Sequence, residues 1–358
     1  MNLRERVPLA PLTTLGLGGP ARWLAECRSD ADVREALAFA QARELPVVVL
    51  GGGSNVVVAD AGFPGLVLHV AIGGIAWEPE RDGTVRVTAG AGERWDDLVA
   101  ASVGRGLQGL ECLSGIPGTV GGTPIQNVGA YGQEVAETIV EVTCLERERG
   151  ERVVLPAAAC GFGYRRSRFK RDDAGRYVVT AVTYRLREGA PPSLRYPELE
   201  RAVAAGGGLA GLAPAEGLGR VRQAVLALRR GKAMAAGSAD PDARSAGSFF
   251  TNPVISAGAF AELSRRWEGA GGGAIPSFPD AEGVKVSAAW LVEQAGFPKG
   301  TQRGGAAVST KHALALVNLG GTTAELLALA DAIVGAVEAR FGVRLEREPV
   351  VVGPATTP

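Results

Sequence analysis

Apolar positions along this chain switch repeatedly between helical spacing, strand alternation and short unbroken runs. Val33, Leu37 and Ala40 share one helical face behind Asp30, which predicts a helix capped by Asp30 and running to about Glu44. Pro46 opens the run Val47–Leu50, which reads as a buried strand. Val56–Val58 and Leu66–Leu68 are further strands, separated by a turn at Gly62–Gly65. Thr84–Ala89 alternates as a strand, and Glu93–Gly104 reads as a helix with Trp95, Leu98 and Val99 inward. Thr138–Leu145, Arg152–Leu155 and the long alternating stretch Tyr177–Leu186 follow as strands. Residues 188–219 are rich in Gly and Ala and poor in large apolar groups, so they read as an insertion or connector. Helical spacing returns at Leu218–Arg230. From about residue 233 a further unit begins, with core candidates Phe260, Leu263, Trp267, Trp290, Leu291, Val292 and Leu314–Val317. A helix at Thr323–Phe341, burying Leu326, Leu327, Ile333, Val334 and Val337, closes it, and 354–358 reads as a frayed tail. Strands and helices scattered in this way predict an α+β fold.

Two segments obey neither rhythm. Residues 115–134, GIPGTVGGTPIQNVGAYGQE, crowd glycine and proline together with Gln126, Asn127 and Tyr131. This run suits neither a helix nor a regular strand. Glycine tolerates dihedrals that other residues avoid and lets backbone N–H groups approach a ligand closely. A flexible linker would be richer in serine and charge and would lack Ile116, Val120, Ile125 and Val128. The segment therefore reads as a loop that wraps an anionic or polycyclic ligand. The second segment, Gly51-Gly52-Gly53-Ser54-Asn55, lies between two strands. A Rossmann turn would be followed by a helix, so that fingerprint is excluded. A tight loop between strands still offers consecutive N–H groups to a pyrophosphate.

Composition narrows the class. The 358 residues allow two or three domains and a large core. Lys+Arg and Asp+Glu are equal at 38 each, so no net basic field draws the chain to nucleic acid or anionic lipid. Cys27, Cys112, Cys144 and Cys160 are widely spaced and read as buried thiols of a cytosolic protein, with no metal-binding pair. Only His69 and His312 occur, which argues against a histidine metal site or a Ser-His triad. No signal peptide and no membrane-spanning stretch is visible, so a cytoplasmic location is expected.

Four further clusters could carry chemistry. Tyr164-Arg165-Arg166-Ser167-Arg168-Phe169-Lys170 is either a solvated basic loop or a source of one arginine that grips a carboxylate or phosphate. Ser245–Pro253 sets Ser248 beside Gly247, Phe249 and Phe250. It lacks GxSxG, so a proton-donating or hydrogen-bonding serine fits better than a nucleophile. Leu345–Gly353 places Glu346 and Glu348 just before an apolar strand, which alone reads as a solvent-facing strand start. Lys285, Glu293 and Gln294 flank Trp290 and Leu291, and either Glu293 or Gln294 reaches a pocket or the surface.

Taken in order, GGGSN, GIPGTVGGTPIQNVGAYGQE, CGFGYRRSRFK, RSAGSFFTNP and LEREPVVVG resemble the UDP-N-acetylenolpyruvoylglucosamine reductases, flavoenzymes of bacterial peptidoglycan synthesis. The resemblance runs from Thr13 to Gly353, and Tyr196 in LRYPELE resembles the tyrosine of the family's longer class. It implies a two-subdomain FAD-binding fold of the vanillyl-alcohol-oxidase type plus a C-terminal α+β substrate-binding domain. The implied limits are 1–75 joined by 346–358, then 76–232, then 233–345. It implies non-covalent FAD, NADPH as co-substrate, a UDP-linked enolpyruvyl amino sugar as substrate, and a monomer.

The same resemblance assigns residues. Arg165 would polarise the substrate carboxylate, Ser248 would protonate the enolate carbon, and Glu348 would help stabilise that intermediate. Pro349 stands where the family usually has a β-branched residue, which leaves Glu346 as the alternative acid, while the register to Gly353 favours Glu348. Tyr196, Lys232, Asn252 and Gln294 fall on substrate-contact positions. Gly51, Gly52, Gly53, Ser54, Asn55, Gly115, Ile116, Gly121, Gly122, Ile125, Gln126 and Asn127 fall on the FAD-binding segments. The rival readings are a non-covalent FAD-dependent oxidase of the same fold and a nucleotide-sugar binding regulator without catalysis.

Overall fold

The computed structural model describes residues 1–235 and 239–354. A first sheet runs in the order Asn2–Pro8, Pro20–Cys27, Phe63–Val70, Val47–Leu50. Its first pair is antiparallel and the others are parallel. Helix α1 (Asp30–Gln41) packs on this sheet through Val33, Ala36, Leu37 and Ala40. Its cap is Ser29, not Asp30: the extended Ser29 offers its hydroxyl to Asp32 N–H at 3.1 Å. Asp30 is instead the first helical residue, where its negative charge suits the helix dipole. The helix also stops before Glu44, whose φ of +51° no α-helix accommodates.

A second, antiparallel sheet runs Arg152–Pro156, Ile139–Glu146, Tyr177–Glu188, Thr84–Gly90, Ile75–Pro79. Helix α2 (Trp95–Gly104) buries Trp95, Leu98 and Val99 as expected but begins two residues later than the sequence pattern suggested. Glu93 lies outside it and accepts Gly74 N–H at 2.5 Å. One apolar cluster joins the two sheets, running from Ala25 and Leu68 through α1 and α2 to Val182 and Tyr184.

The insertion is not a loose connector. It contains α3 (Pro197–Ala205) and the start of α4 (Pro214–Gly231). Leu199 and Val203 face Val221 and Val225, and Cys112 joins them in one buried cluster. A helix pair needs only a narrow apolar stripe, which Gly/Ala-rich composition conceals.

The C-terminal unit has a four-stranded sheet (Ser245–Ser248, Ala315–Asn318, Ala306–Val308, Gln302–Arg303) and a small three-stranded one (Val254–Ile255, Gly283–Val286, Ser277–Asp280). Helices α5 (Ala257–Gly269), α6 (Ala288–Gln294) and α7 (Thr323–Phe341) cover them. Leu263, Leu291, Val292 and Leu314–Val317 are buried, whereas Phe260, Trp267 and Trp290 are only partly so. Leu327 is likewise half-buried, while Leu326, Ile333, Val334 and Val337 are buried as expected. α7 spans the limits its pattern predicts, because Thr322 and Glu325 form a capping box and Gly342 at φ +69° ends it. The chain then returns, and Val350–Val352 pairs in parallel with Val56–Val58. Of the tail expected to fray at 354–358, residues 355–358 lie outside the described residues.

Candidate active site

One cavity of about 1,210 Å³ lies where these units meet. Single small-molecule pockets usually hold about 300–1,000 Å³, so this one suits two extended ligands. Gly51–Val56, Ile116–Thr119, Gly122, Ile125, Gln126, Arg165, Arg229, Ser248 and Glu348 all reach it.

The glycines of the two loops serve first to permit close backbone approach, between the loops and to the N-terminal segment. A Cβ on Gly52 would lie 2.6 Å from Gly118 Cα. One on Gly53, at φ +64°, would lie 1.8 Å from the Leu12 carbonyl oxygen. Gly122 is different: nothing stands within 4 Å of the Cβ direction, so its backbone is open to the cavity. The long loop contains one 3-10 turn (Val120–Gly122) and a two-residue hairpin, and is otherwise irregular. Tyr184, fully buried on the long strand, pins it through Thr123 at 2.9 Å, and Ser167 donates to the Ile125 carbonyl.

A polar chain then runs along one wall. Asn55 Nδ2 donates to Gln126 Oε1 at 2.8 Å, and Gln126 Nε2 donates to Glu348 Oε1 at 3.3 Å. Asn55 Nδ2 also reaches the Glu348 carbonyl at 3.3 Å. Arg165 Nε stands 3.0 Å from Glu348 Oε1, yet the alignment is not that of a hydrogen bond and this buried N–H has no acceptor. Arg165 is held instead by its Nη2, which donates to the Gly129 carbonyl at 2.9 Å. Its φ of +50° marks a strained backbone, as at Asn127, Tyr131 and Ala233 nearby. Glu346 is exposed and Glu348 buried, so the strand register presents Glu348 to the cavity.

Ser248 ends a strand whose next two residues, Phe249 and Phe250, are fully buried anchors. Glu348 N–H donates to the Phe249 carbonyl at 2.9 Å, which ties the serine strand to the carboxylate. Ser248 Oγ lies 3.1 Å from His312 Nε2. The scarcity of histidine argued against a Ser-His triad or metal site, and the 64-residue separation gives no sequence signal for this contact. It is not a nucleophilic triad: among the described residues no carboxylate hydrogen-bonds His312 Nδ1.

The other candidates lie elsewhere. Asn127 is buried with its side chain spent on Glu134, the Gly163 carbonyl and Ala136 N–H, so it shapes the loop. Gly115 N–H is taken by Asp96, and Gly121 packs against Ala91. Asn252 Oδ1 accepts Ala288 N–H at 2.9 Å and so orders the start of α6. Gln294 ends α6 away from the cavity lining, and Glu293 is likewise no part of it. Tyr196, 42% exposed, meets Tyr131 edge-on at 5.7 Å, and Lys232 pairs with Glu198 at 2.7 Å.

Residues and space fit a flavin dinucleotide. Gly122 leaves the loop backbone open, and Arg229, 8% exposed, has a buried Nε with no acceptor on the cavity wall, where an anionic group would satisfy it. Residues 21–155 match the FAD binding domain family, which sets the chain among FAD-binding proteins of α+β architecture. Residues 240–352 match the C-terminal domain of UDP-N-acetylenolpyruvoylglucosamine reductase. The reductase of that name from Thermobifida fusca is 49% identical over 98% of either chain. That of Streptomyces coelicolor is 49% identical over 97% of this chain and 90% of its own. The crystal structure of the Thermus caldophilus enzyme superposes with a TM-score of 0.65 at 28% identity, covering 98% of this chain and all of the other. The chain belongs to the UDP-N-acetylenolpyruvoylglucosamine reductase family. No helix of the described residues is long and apolar enough to cross a membrane.

Proposed function

We propose that this chain is an NADPH-dependent flavoenzyme that reduces the enolpyruvyl ether of UDP-N-acetylglucosamine-enolpyruvate to UDP-N-acetylmuramate, a step in peptidoglycan precursor synthesis. The observation that carries the reading at this site is the Asn55–Gln126–Glu348–Arg165 wall, which places a guanidinium donor in the cavity lining with its buried Nε turned to Glu348. That donor suits a carboxylate-bearing acceptor. FAD, held along the Gly51–Asn55 and Ile116–Gln126 loops, would supply the hydride chemistry when bound, with NADPH as co-substrate. Hydride addition to the vinyl methylene leaves negative charge on the carbon that bears the carboxylate. Arg165 stabilises that charge through the carboxylate, and Glu348 keeps Arg165 aimed. Ser248 gives its hydroxyl proton to the carbon. Gly51–Asn55, Ile116, Gly122, Ile125 and Gln126 line the flavin's side, while Tyr196 and Lys232 reach the sugar nucleotide when the helical insertion closes on it. Asn252 and Gln294, which lie off the cavity lining, would contact the sugar nucleotide only once that side has closed on it.

On this reading 1–75 with 346–358, 76–232 and 233–345 are the three working units, and the protein acts as a cytoplasmic monomer. The test is to follow NADPH oxidation by purified protein. Turnover should require the UDP-linked enolpyruvyl sugar, with oxygen a poor acceptor. Rapid turnover with oxygen alone would move the chain to the oxidases.

A further inference from the structure

His312 has no part in the reading above, yet it is the hydrogen-bond partner of Ser248. Its placement is built by buried polar groups. Asp242, 7% exposed, accepts from Ser309 Oγ at 2.7 Å, Thr310 N–H at 2.7 Å and Thr310 Oγ1 at 2.8 Å. Ser309 Oγ, itself buried, in turn accepts the N–H groups of Lys311 and His312 at 3.1 and 3.2 Å. The His312 carbonyl accepts Ala315 N–H at 3.0 Å, and Ala315 is the cross-strand partner of Ser248. Asp242 lies three residues before the serine strand. One buried carboxylate thus fixes the histidine loop relative to the serine strand. Such satisfied networks hold a side chain in one orientation.

We propose that His312 is a positioning residue for Ser248: its Nε2–H directs the serine hydroxyl and returns a proton to the oxygen after transfer. The proposal rests on Ser248 being the proton donor. A serine oxygen with a donor on one side presents its own hydrogen to the other, here the cavity that Ser248 lines. In the second half-reaction the Oγ–H bond breaks as the C–H bond forms at the substrate carbon. The Nε2–H bond breaks as Oγ–H re-forms, and water delivers a proton to Nδ1. The imidazole ends neutral in its other tautomer, and the net proton comes from water. Nδ1 makes no hydrogen bond to a described residue, which leaves it for water. Burial, reinforced by the like charges of Lys232 and Lys299, pushes His312 down to about 4, with Arg229 acting the same way and Glu198 opposing. At neutral pH the ring therefore carries a single proton, as a tautomer exchange requires.

The test uses the flavin-loaded full chain in stopped flow, with each half-reaction followed by flavin absorbance. His312→Ala should slow flavin reoxidation by the enolpyruvyl sugar about 10- to 100-fold, a part of the roughly 10²–10⁴-fold that a general acid supplies. Flavin reduction by NADPH, which needs no proton on substrate carbon, reports that the site is folded. Added imidazole should restore part of the lost rate. His312→Gln, whose amide can direct the hydroxyl but cannot relay, should retain more rate than His312→Ala and show a smaller solvent isotope effect than wild type. His312→Ala combined with Ser248→Ala should be no slower than Ser248→Ala alone, because the histidine acts through the serine. Wild-type reoxidation in both His312 variants while Ser248→Ala is slow would overturn the relay and spare the serine. Wild-type reoxidation in Ser248→Ala would remove the serine, and the relay with it. An additive double variant would give His312 a separate role and overturn the proposal.

Discussion

The two polar sides of the cavity are held by different means. Arg165 and Glu348 are fixed by a chain of side chains from four distant segments: the GGGSN loop, the long glycine-rich loop, the basic loop and the C-terminal strand. Ser248 is fixed by one strand, two buried phenylalanines and one loop clamped by Asp242. A fault on the first side spreads through shared hydrogen bonds. The second side meets the first through backbone bonds such as Glu348 N–H to the Phe249 carbonyl, so a fault at the serine hydroxyl alone leaves the wall's side chains in place. The carboxylate wall thus serves both to shape the cavity and to hold charge, whereas the serine strand serves a single proton.

The sharpest way to break this contrast is to remove one group from each side. Ser248→Ala should leave flavin reduction by NADPH intact and slow reoxidation by the enolpyruvyl sugar at least about 10²-fold, within the range a general acid contributes. Glu348→Ala should slow reoxidation by about 10²-fold, as loss of one charge-stabilising group does, and should also weaken flavin retention. Its loss frees Gln126 Nε2 and Arg165 together. Glu346→Ala, on an exposed side chain, should do neither. Stopped-flow absorbance and flavin release on dilution measure both effects. Equal rates for Glu346→Ala and Glu348→Ala, both depressed, would contradict the register argument.

The same contrast decided what the sequence could reveal. Elements with a strong local period were legible: α7 falls on its predicted span, and Tyr177–Glu188 extends the predicted strand by two residues. The α1 cap was misplaced by one residue because Ser29 and Asp30 are both good caps, and only backbone geometry separates them. α3 and the first turn of α4 were not legible, because α3 buries only Leu199 and Val203, against Val221 and Val225 of the helix whose period is visible. Within the site, motif residues on continuous segments were legible, and Arg165, Ser248 and Glu348 do share one cavity. The glycines read as ligand-facing serve close packing as well: Gly51 and Gly52 let the two loops touch, and Gly53 lets the chain pass Leu12 and Thr13. Contacts between separate segments, such as Asn55 with Gln126 and Ser248 with His312, leave no trace in spacing.

A smaller effect is expected outside the cavity. Tyr196 stands at the N-cap position of α3 without a side-chain cap bond and is exposed, with Tyr131 edge-on against its ring. Tyr196→Ala should raise the KM for the sugar nucleotide by about 10-fold and lower kcat less, the signature of a contact made equally in ground and transition states. A large fall in kcat at unchanged KM would make Tyr196 part of the chemistry and bring the insertion onto the serine side of the comparison.

The least of these effects concerns stability rather than rate, and it separates the two sides through pH. His312 sits at about 4 in the folded chain against an ordinary 6.5, chiefly because burial disfavours its charged form. Between these values the unfolded chain binds the proton that the folded chain refuses. The stability tied to a neutral His312 is therefore fully present above pH 6.5 and is lost as pH falls toward 4. A shift of this size is worth about 1–3 kcal/mol at most. His312→Gln has no proton to bind, so its denaturant-unfolding stability should fall less than wild type between pH 6.5 and 4. The carboxylates titrate alike in both proteins, and the difference between them isolates the histidine. Parallel pH curves for wild type and His312→Gln would mean that the ring beside Ser248 is already protonated in the folded chain, or open enough to titrate normally.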